Sequence, residues 1–241
     1  MASLRNLFYK RAWDTRCRNI DVVRVLRPYL RDDSTILDAG CGEYGIAEFV
    51  PTGRVIGVDV APTENTSFDF DFVYGSIAAL PFSNGSFSIV SSVDVLEHLP
   101  ETLRPEAVRQ LVLVANDLIV ITFPTGTAAR KLDEEFNEKL IGSGQPVPDW
   151  LSEHLSQEYP DEAAIISHIR SEALRLGRKV QTSTYYSEDL RIARFLRWAA
   201  ATSRYVYMFA NIAFGVFAPI LPQAKKKASY RSIILAEFDN G

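Results

Sequence analysis

Buried-strand patterns and helical patterns alternate along the first half of this chain. Residues 3–31 place Leu4, Leu7 and Phe8 on one face and continue the apolar stripe through Ile20, Val23, Leu26 and Leu30, which predicts helix. "STILDAG" (34–40) reads as a short buried strand running into a glycine turn, and "GIAEFV" (45–50) opens a helix. "RVIGVDV" (54–60), "FDFVYGS" (70–76), "SFSIVSSVD" (86–94) and "DLIVITFP" (117–124) supply four further strands, with a helix over roughly 101–116 before the last. The link after Val60 is too short for a comfortable crossover helix. Buried strands alternating with helices predict an α/β, doubly wound, mostly parallel sheet with helices on both faces.

After the fifth strand the pattern loosens. Residues 125–160 contain "GSGQPVPDW" and read as a long irregular insertion over the active site, since long loops in compact domains are usually functional. "DEAAIISHIRSEALRLG" (161–177) is a helix with acidic residues at its start and Gly177 as its stop. "KVQTSTYY" (179–186) and "YRSIILAEF" (230–238) bring the sheet to seven strands, with an apolar helical insertion, 187–229, before the last. The expected organisation is a single domain, 1–241, with a helical arm (1–31) and a cofactor-binding half (32–124).

Charge changes this picture at one end only. The chain carries a net charge of −4, which argues against a dedicated nucleic-acid partner. Residues 1–31 nevertheless hold Arg5, Lys10, Arg11, Arg16, Arg18, Arg24, Arg27 and Arg31 against only Asp14 and Asp21. Such an arm suits either an anionic surface or a solvated helix face. Cys17 and Cys41 have no paired spacing, which fits a reducing compartment, and no CxxC or HExxH pattern supports a metal site. The first residues lack an apolar core followed by a small-residue cleavage site, so a cytoplasmic location is expected, with peripheral contact at the inner membrane surface as an open extension.

The chemistry concentrates around Gly40-x-Gly42-x-x-Gly45, a spacing shared by dinucleotide-binding turns. Asp59, at the end of the second strand, stands where a carboxylate accepts hydrogen bonds from ribose hydroxyls, and this does not choose between ligands. Asp38, two residues before the first glycine, faces a pyrophosphate badly and suits a cationic amino-acid group. With "LPFSNGSFSIVSSVDVLEHLP" (80–100) and "ITFP", residues 34–124 resemble the class I S-adenosylmethionine-dependent methyltransferases, particularly the branch with an LPF-x-x-x-x-F-x-x-V pattern. The resemblance implies S-adenosylmethionine as cofactor and methyl transfer to a small-molecule acceptor. It implies that Asp38, Ala39, Gly40, Cys41 and Gly42 cradle the methionine part, and that Asp59 holds the ribose with Val60 beside the adenine. Ser76 and Ile77 fall at the adenine edge, and Val93 and Asp94 form a floor beneath the sulfonium. Two departures are visible: Tyr44 occupies the usual third glycine position, and Ser76 replaces an aspartate. Two other readings remain, an NAD-dependent oxidoreductase and a non-catalytic protein that binds the cofactor.

Methyl transfer to a hydroxyl needs a general base, for which histidine is suited near neutral pH. His98, just past strand four, and His154, in the insertion, are the catalytic candidates, while His168 reads as packing or surface. Residues 205–222, "YVYMFANIAFGVFAPILP", carry no charge, and Arg194, Arg197, Arg204 and Lys225, Lys226, Lys227 flank them like headgroup anchors. If the flanking strands pair in one sheet, a single membrane crossing is impossible. An interfacial element, with Phe214 and Phe217 towards lipid and an amphiphilic, lipid-linked or glycan-linked acceptor, then competes with a hydrophobic lid or an oligomer contact.

Overall fold

The computed structural model describes residues 13–42, 45–47, 49–51, 53–60, 70–217 and 228–239. Seven strands form one sheet: β1 (Thr35–Ala39), β2 (Arg54–Asp59), β3 (Asp71–Tyr74), β4 (Phe87–Val93), β5 (Ala115–Pro124), β6 (Lys179–Asp189) and β7 (Ser229–Asp239). Their order is β3-β2-β1-β4-β5-β7-β6; the first five run parallel and β7 lies antiparallel between β5 and β6. The continuous apolar runs follow from burial on both faces. Ile36, Ile89, Leu118, Val120, Ile233 and Leu235 face one core, and Leu37, Val90, Ile119, Ile121 and Ile234 face the other.

Helix α1 (Trp13–Leu26) covers the first face through Val22, Val25 and Leu26, so the expected stripe holds over its described part, and residues 3–12 lie outside the described residues. On the second face lie α2 (Arg104–Val114) and α5 (Glu162–Arg175). Asp161 caps α5 by accepting a hydrogen bond from the Ala164 amide at 2.8 Å. His168 is half-buried within it.

Two expectations change, and a third gains detail. The segment after the glycine turn makes turns at Gly45–Ala47 and Phe49 rather than a helix, with the Val50 amide bonded to the Ile46 carbonyl at 3.1 Å. Pro51 follows at once, with no N–H to continue the ladder, and the chain turns into β2. The stretch 125–160 is mostly helical: α3 (Gly126–Gly142) and α4 (Asp149–Ser156), with irregular backbone between them. Ala129, Leu132, Phe136 and Leu140 repeat at helical spacing on the buried side of α3, a signal masked by the Gly- and Pro-rich piece beside it. The apolar insertion is a pair of helices, α6 (Leu190–Thr202) and α7 (Arg204–Phe217), and no described helix is long and apolar enough to cross a membrane. Since β6 and β7 pair antiparallel along their length, the chain leaves and re-enters the sheet at the same end of these two strands.

Together α3, α4 and α6 build a cap. Ala129 and Leu132 of α3 pack on Ala193 and Tyr230, and Phe136 and Leu140 pack on Leu151 and Ala201. α3 starts directly after β5, which sets this cap over the carboxyl ends of the parallel strands.

Candidate active site

A cleft of about 520 Å³ opens at the carboxyl ends of β1, β2 and β4. Asp38, Gly40, Cys41, Gly42, Gly45, Ile46, Asp59, Val60, Ser76, Ile77, Val93, Asp94 and His98 all line it. In a parallel sheet this edge is where ligands bind, because the strand order reverses between β1 and β4. Ala39 does not reach the cleft: it is fully buried in the core beneath.

The glycine turn is built around one buried carboxylate. Asp38 Oδ2 accepts the Ile46 amide at 2.7 Å, and the Ser91 hydroxyl donates to its Oδ1 at 2.9 Å. Burial raises the Asp38 carboxyl to about 6, against the opposing pull of those two hydrogen bonds. Gly45 has φ +48, and a Cβ there would lie 2.4 Å from Asp38 Oδ2, so the displaced third glycine is required by this contact. Gly40 combines φ +80 with a Cβ position 2.3 Å from Val95. Next to them the Gly42 amide donates to Asp59 Oδ2 at 2.8 Å. Cys41 is buried against the β2 backbone at Gly57, and burial pushes its thiol up, which makes it a packing residue rather than a nucleophile.

Residues 37–114, which span β1 to the end of α2 and hold most of this cleft, match the methyltransferase-domain family. That match supports reading the chain as a class I S-adenosylmethionine-dependent methyltransferase. Solved structures share the fold. The magnesium protoporphyrin IX methyltransferase of Synechocystis PCC 6803, solved with bound SAH, aligns with TM-score 0.51 at 16% identity, covering 98% of this chain and 88% of that one. A SAM-dependent methyltransferase of Archaeoglobus fulgidus aligns with TM-score 0.50 at 18% identity, over 98% of this chain and 100% of that one. No curated protein matches the chain. The nicotinamide and non-catalytic readings therefore give way to a methyltransferase that uses S-adenosylmethionine. The cleft fits that cofactor: Val60 is 70% exposed at its mouth, an apolar surface for a base, and a Cβ on Gly42 would meet nothing within 4 Å, so the backbone there is open to a ligand.

Behind the cleft lies a second cavity of about 540 Å³, and both are lined by Arg18, Asp94 and His98. Phe136, Trp150, Leu196 and Ala200 from the cap form an apolar side. The opposite side is ionic and largely buried. Arg231, near the start of β7, donates from Nε to Asp94 Oδ2 at 2.6 Å and from its Nη1 to Glu188. Asp94 (φ 54) and Glu188 (φ 60) are both non-glycine residues in the left-handed region, where backbone strain collects at functional sites. Arg197, which the sequence pattern suggests as a headgroup anchor, instead turns inward to Asp133 at 3.1 Å. Its side chain follows the buried carboxylate because Asp133 is fully enclosed and needs a cation. Tyr159 and Tyr230 also donate to Asp133, at 2.5 and 2.6 Å. Burial opposes the Asp133 charge, but these donors, His154 and Arg197 hold its carboxyl below the ordinary range.

Both histidine candidates meet in this cavity, with Nε2 atoms 3.3 Å apart. His98 Nδ1 contacts Glu153 Oε2 at 2.6 Å, and His154 Nδ1 contacts Asp133 Oδ2 at 3.4 Å. Burial, reinforced by the neighbouring His154, lowers the His98 pKa, which keeps its ring neutral near pH 7. Glu97, beside them, is 1% exposed, and burial followed by the nearby Asp94 carboxylate drives its pKa well above the usual range. Sequence reasoning missed Glu97, Glu153, Asp133, Glu188 and Arg231. A charged residue inside an apolar strand, Arg231 in "YRSIILAEF", was the one local signal, since such a group is buried only with partners.

Proposed function

We propose that this methyltransferase acts on an oxygen of an amphiphilic small molecule, with Asp38 and Asp59 holding the cofactor and the His98–His154 pair serving the acceptor. The observation that carries this reading is the junction of the two cavities: one side apolar, the other ionic, with the imidazoles between. Bound S-adenosylmethionine supplies an electrophilic methyl group whose sulfonium loses its positive charge on transfer. The protein's share is to hold acceptor and donor in line without water, worth about 7–11 kcal/mol, and to take the hydroxyl proton at an imidazole nitrogen. Incubating purified protein and cell extract with methyl-labelled S-adenosylmethionine, then partitioning between organic and aqueous phases, tests it. Label in a water-soluble, non-amphiphilic product would overturn the acceptor class.

Cofactor contacts give two expected results. Asp59→Ala weakens S-adenosylmethionine by about 1.5–3 kcal/mol in calorimetry, since it removes charge-assisted hydrogen bonds and frees the Gly42 amide. Affinity also rises as pH climbs through about 6, where Asp38 loses its proton and can attract the cationic ligand, and Asp38→Asn flattens that rise. For the free protein the sign is opposite. A carboxyl raised from 3.8 to about 6 contributes stability that is complete below its unfolded value and lost as pH rises through about 6.

The rim supports lipid presentation of the acceptor. Tyr205 is 72% exposed and Phe209 67%, on α7, with Phe195 and Trp198 stacked nearby on α6. Of the two readings for Phe214, packing is favoured at this position: it is half-buried and packs with Leu196, Ile192 and Ala210, because α7 turns that face onto α6. The Arg204 and Phe217 side chains and Lys225–Lys227 lie outside the described residues. The protein is expected to float with anionic liposomes at low salt and to release at high salt. Tyr205→Ser with Phe209→Ser abolishes flotation and leaves the melting temperature within a few degrees. Retained flotation would remove α7 from the interface.

A further inference from the structure

Two imidazoles and one carboxylate converge at the meeting point of the two cavities, where the sequence offers no metal-ligand spacing. The ligand atoms of Glu97, His98 and His154 all lie within 4.8 Å of one another. We propose that Glu97, His98 and His154 form a site for a divalent transition-metal ion that opens into the acceptor cavity.

The hydrogen-bond arrangement supports it first. Each imidazole turns Nδ1 to a carboxylate, His98 to Glu153 at 2.6 Å and His154 to Asp133 at 3.4 Å. A carboxylate cannot donate, so Nδ1 carries the proton in each ring and both Nε2 atoms present lone pairs. Those lone pairs face each other at 3.3 Å, an arrangement that repels unless a cation lies between them. This is also the carboxylate–histidine–metal pattern, in which the outer carboxylate fixes the tautomer and strengthens the ligand.

Glu97 is the second, independent observation. Its carboxyl is 1% exposed, both oxygens lack a hydrogen-bond partner among the described residues, and Oε1 lies 3.8 Å from His154 Nε2. A buried carboxyl without hydrogen-bond partners is costly unless it holds its proton or a cation takes that proton's place. The dimensions agree. A tetrahedral ion about 2.0–2.1 Å from its ligands separates them by roughly 3.3 Å. The two Nε2 atoms already stand at that spacing, and a small rotation of Glu97 brings its oxygen in.

Two nitrogens and one oxygen suit zinc, iron, manganese or cobalt rather than calcium or magnesium. Three protein ligands leave a position free, as in catalytic sites, and all three residues line the acceptor cavity. A metal there would bind the acceptor oxygen directly and make its proton easier to lose; with both Nε2 atoms on the ion, that proton would leave to solvent, and the imidazoles would act as ligands in place of the base role. That last use rests on the oxygen-acceptor reading above; the binding site itself does not.

The test therefore needs no acceptor. Full-length protein is stripped with chelator, dialysed, and titrated with Zn2+, Mn2+ or Co2+, with Mg2+ as comparator, by calorimetry and elemental analysis, and Co2+ is followed by its visible bands. One equivalent per chain is expected, with Mg2+ far weaker. Glu97→Gln and His154→Ala should each weaken binding by at least 100-fold, and the exposed Glu153→Gln by about 10–100-fold. His168→Ala should leave it unchanged, and an unaltered circular-dichroism spectrum certifies that each variant is folded. Absence of stoichiometric binding, equal affinity in the Glu97 and His154 variants, or loss in His168→Ala would overturn the site and leave the two imidazoles sharing a proton. A methyl acceptor other than oxygen would overturn only the proposed use.

Discussion

Turnover by the His154→Ala variant is expected to fall by about 10²–10⁴-fold while adenosylhomocysteine binds as tightly as before. His154 lines the acceptor cavity and not the cofactor cleft, so its loss should reach the chemical step alone. It is 6% exposed and set by Asp133 at Nδ1, whose other donors, Tyr159, Tyr230 and Arg197, remain to keep that carboxylate paired in the variant. Single-turnover transfer from labelled cofactor, with calorimetry for adenosylhomocysteine, separates the two effects. Undiminished turnover would mean that the acceptor arrives already ionised, so that alignment is the protein's main contribution.

Arg231→Met is expected to cost about 3–5 kcal/mol of folding stability, the penalty for removing one member of a buried ionic group. Arg231 is 5% exposed and bridges Asp94 and Glu188. Both acids sit at strand ends with positive φ, a conformation that persists only when neighbours hold it, at about 1–3 kcal/mol each. Without the guanidinium, Asp94 keeps Arg18 only at 3.9 Å and Glu188 keeps Arg197 only at 4.0 Å, both longer contacts than the ones lost. Chemical denaturation of the variant checks the loss, and Glu188→Gln in the same chain should recover part of it, because one uncompensated charge is then gone. A loss under about 1 kcal/mol would show that the strained strand ends are held by something else.

The strand half of the fold was legible because each parallel strand is buried on both sides and so reads as an unbroken apolar run, as in "DLIVITFP". The cofactor cleft was legible for a related reason. A turn that must carry Gly40 at φ +80 and keep a Cβ away from Asp38 at Gly45 leaves those residues in the chain at fixed spacing. The cap over the acceptor was not. In 125–160 the glycines and prolines of "GSGQPVPDW" mask the four-residue spacing of Leu132, Phe136 and Leu140 that makes helix α3.

What the chain by itself determined is therefore what is local: strand faces, the glycine turn, and the carboxylates at the ends of β1 and β2. What only tertiary structure decided are the contacts between residues far apart along the chain. His98 and His154 meet across an intervening 55 residues and enclose Glu97, and Arg231 reaches back across the sheet to Asp94. Arg197 shows the same limit from the other side. Its place beside an uncharged run suggests a surface anchor, yet burial of Asp133 on α3 requires a cation nearby, and α6 supplies it. Spacing along a chain encodes periodicity and turn geometry; the pairing of buried charges depends on which elements pack together, and no local pattern carries that.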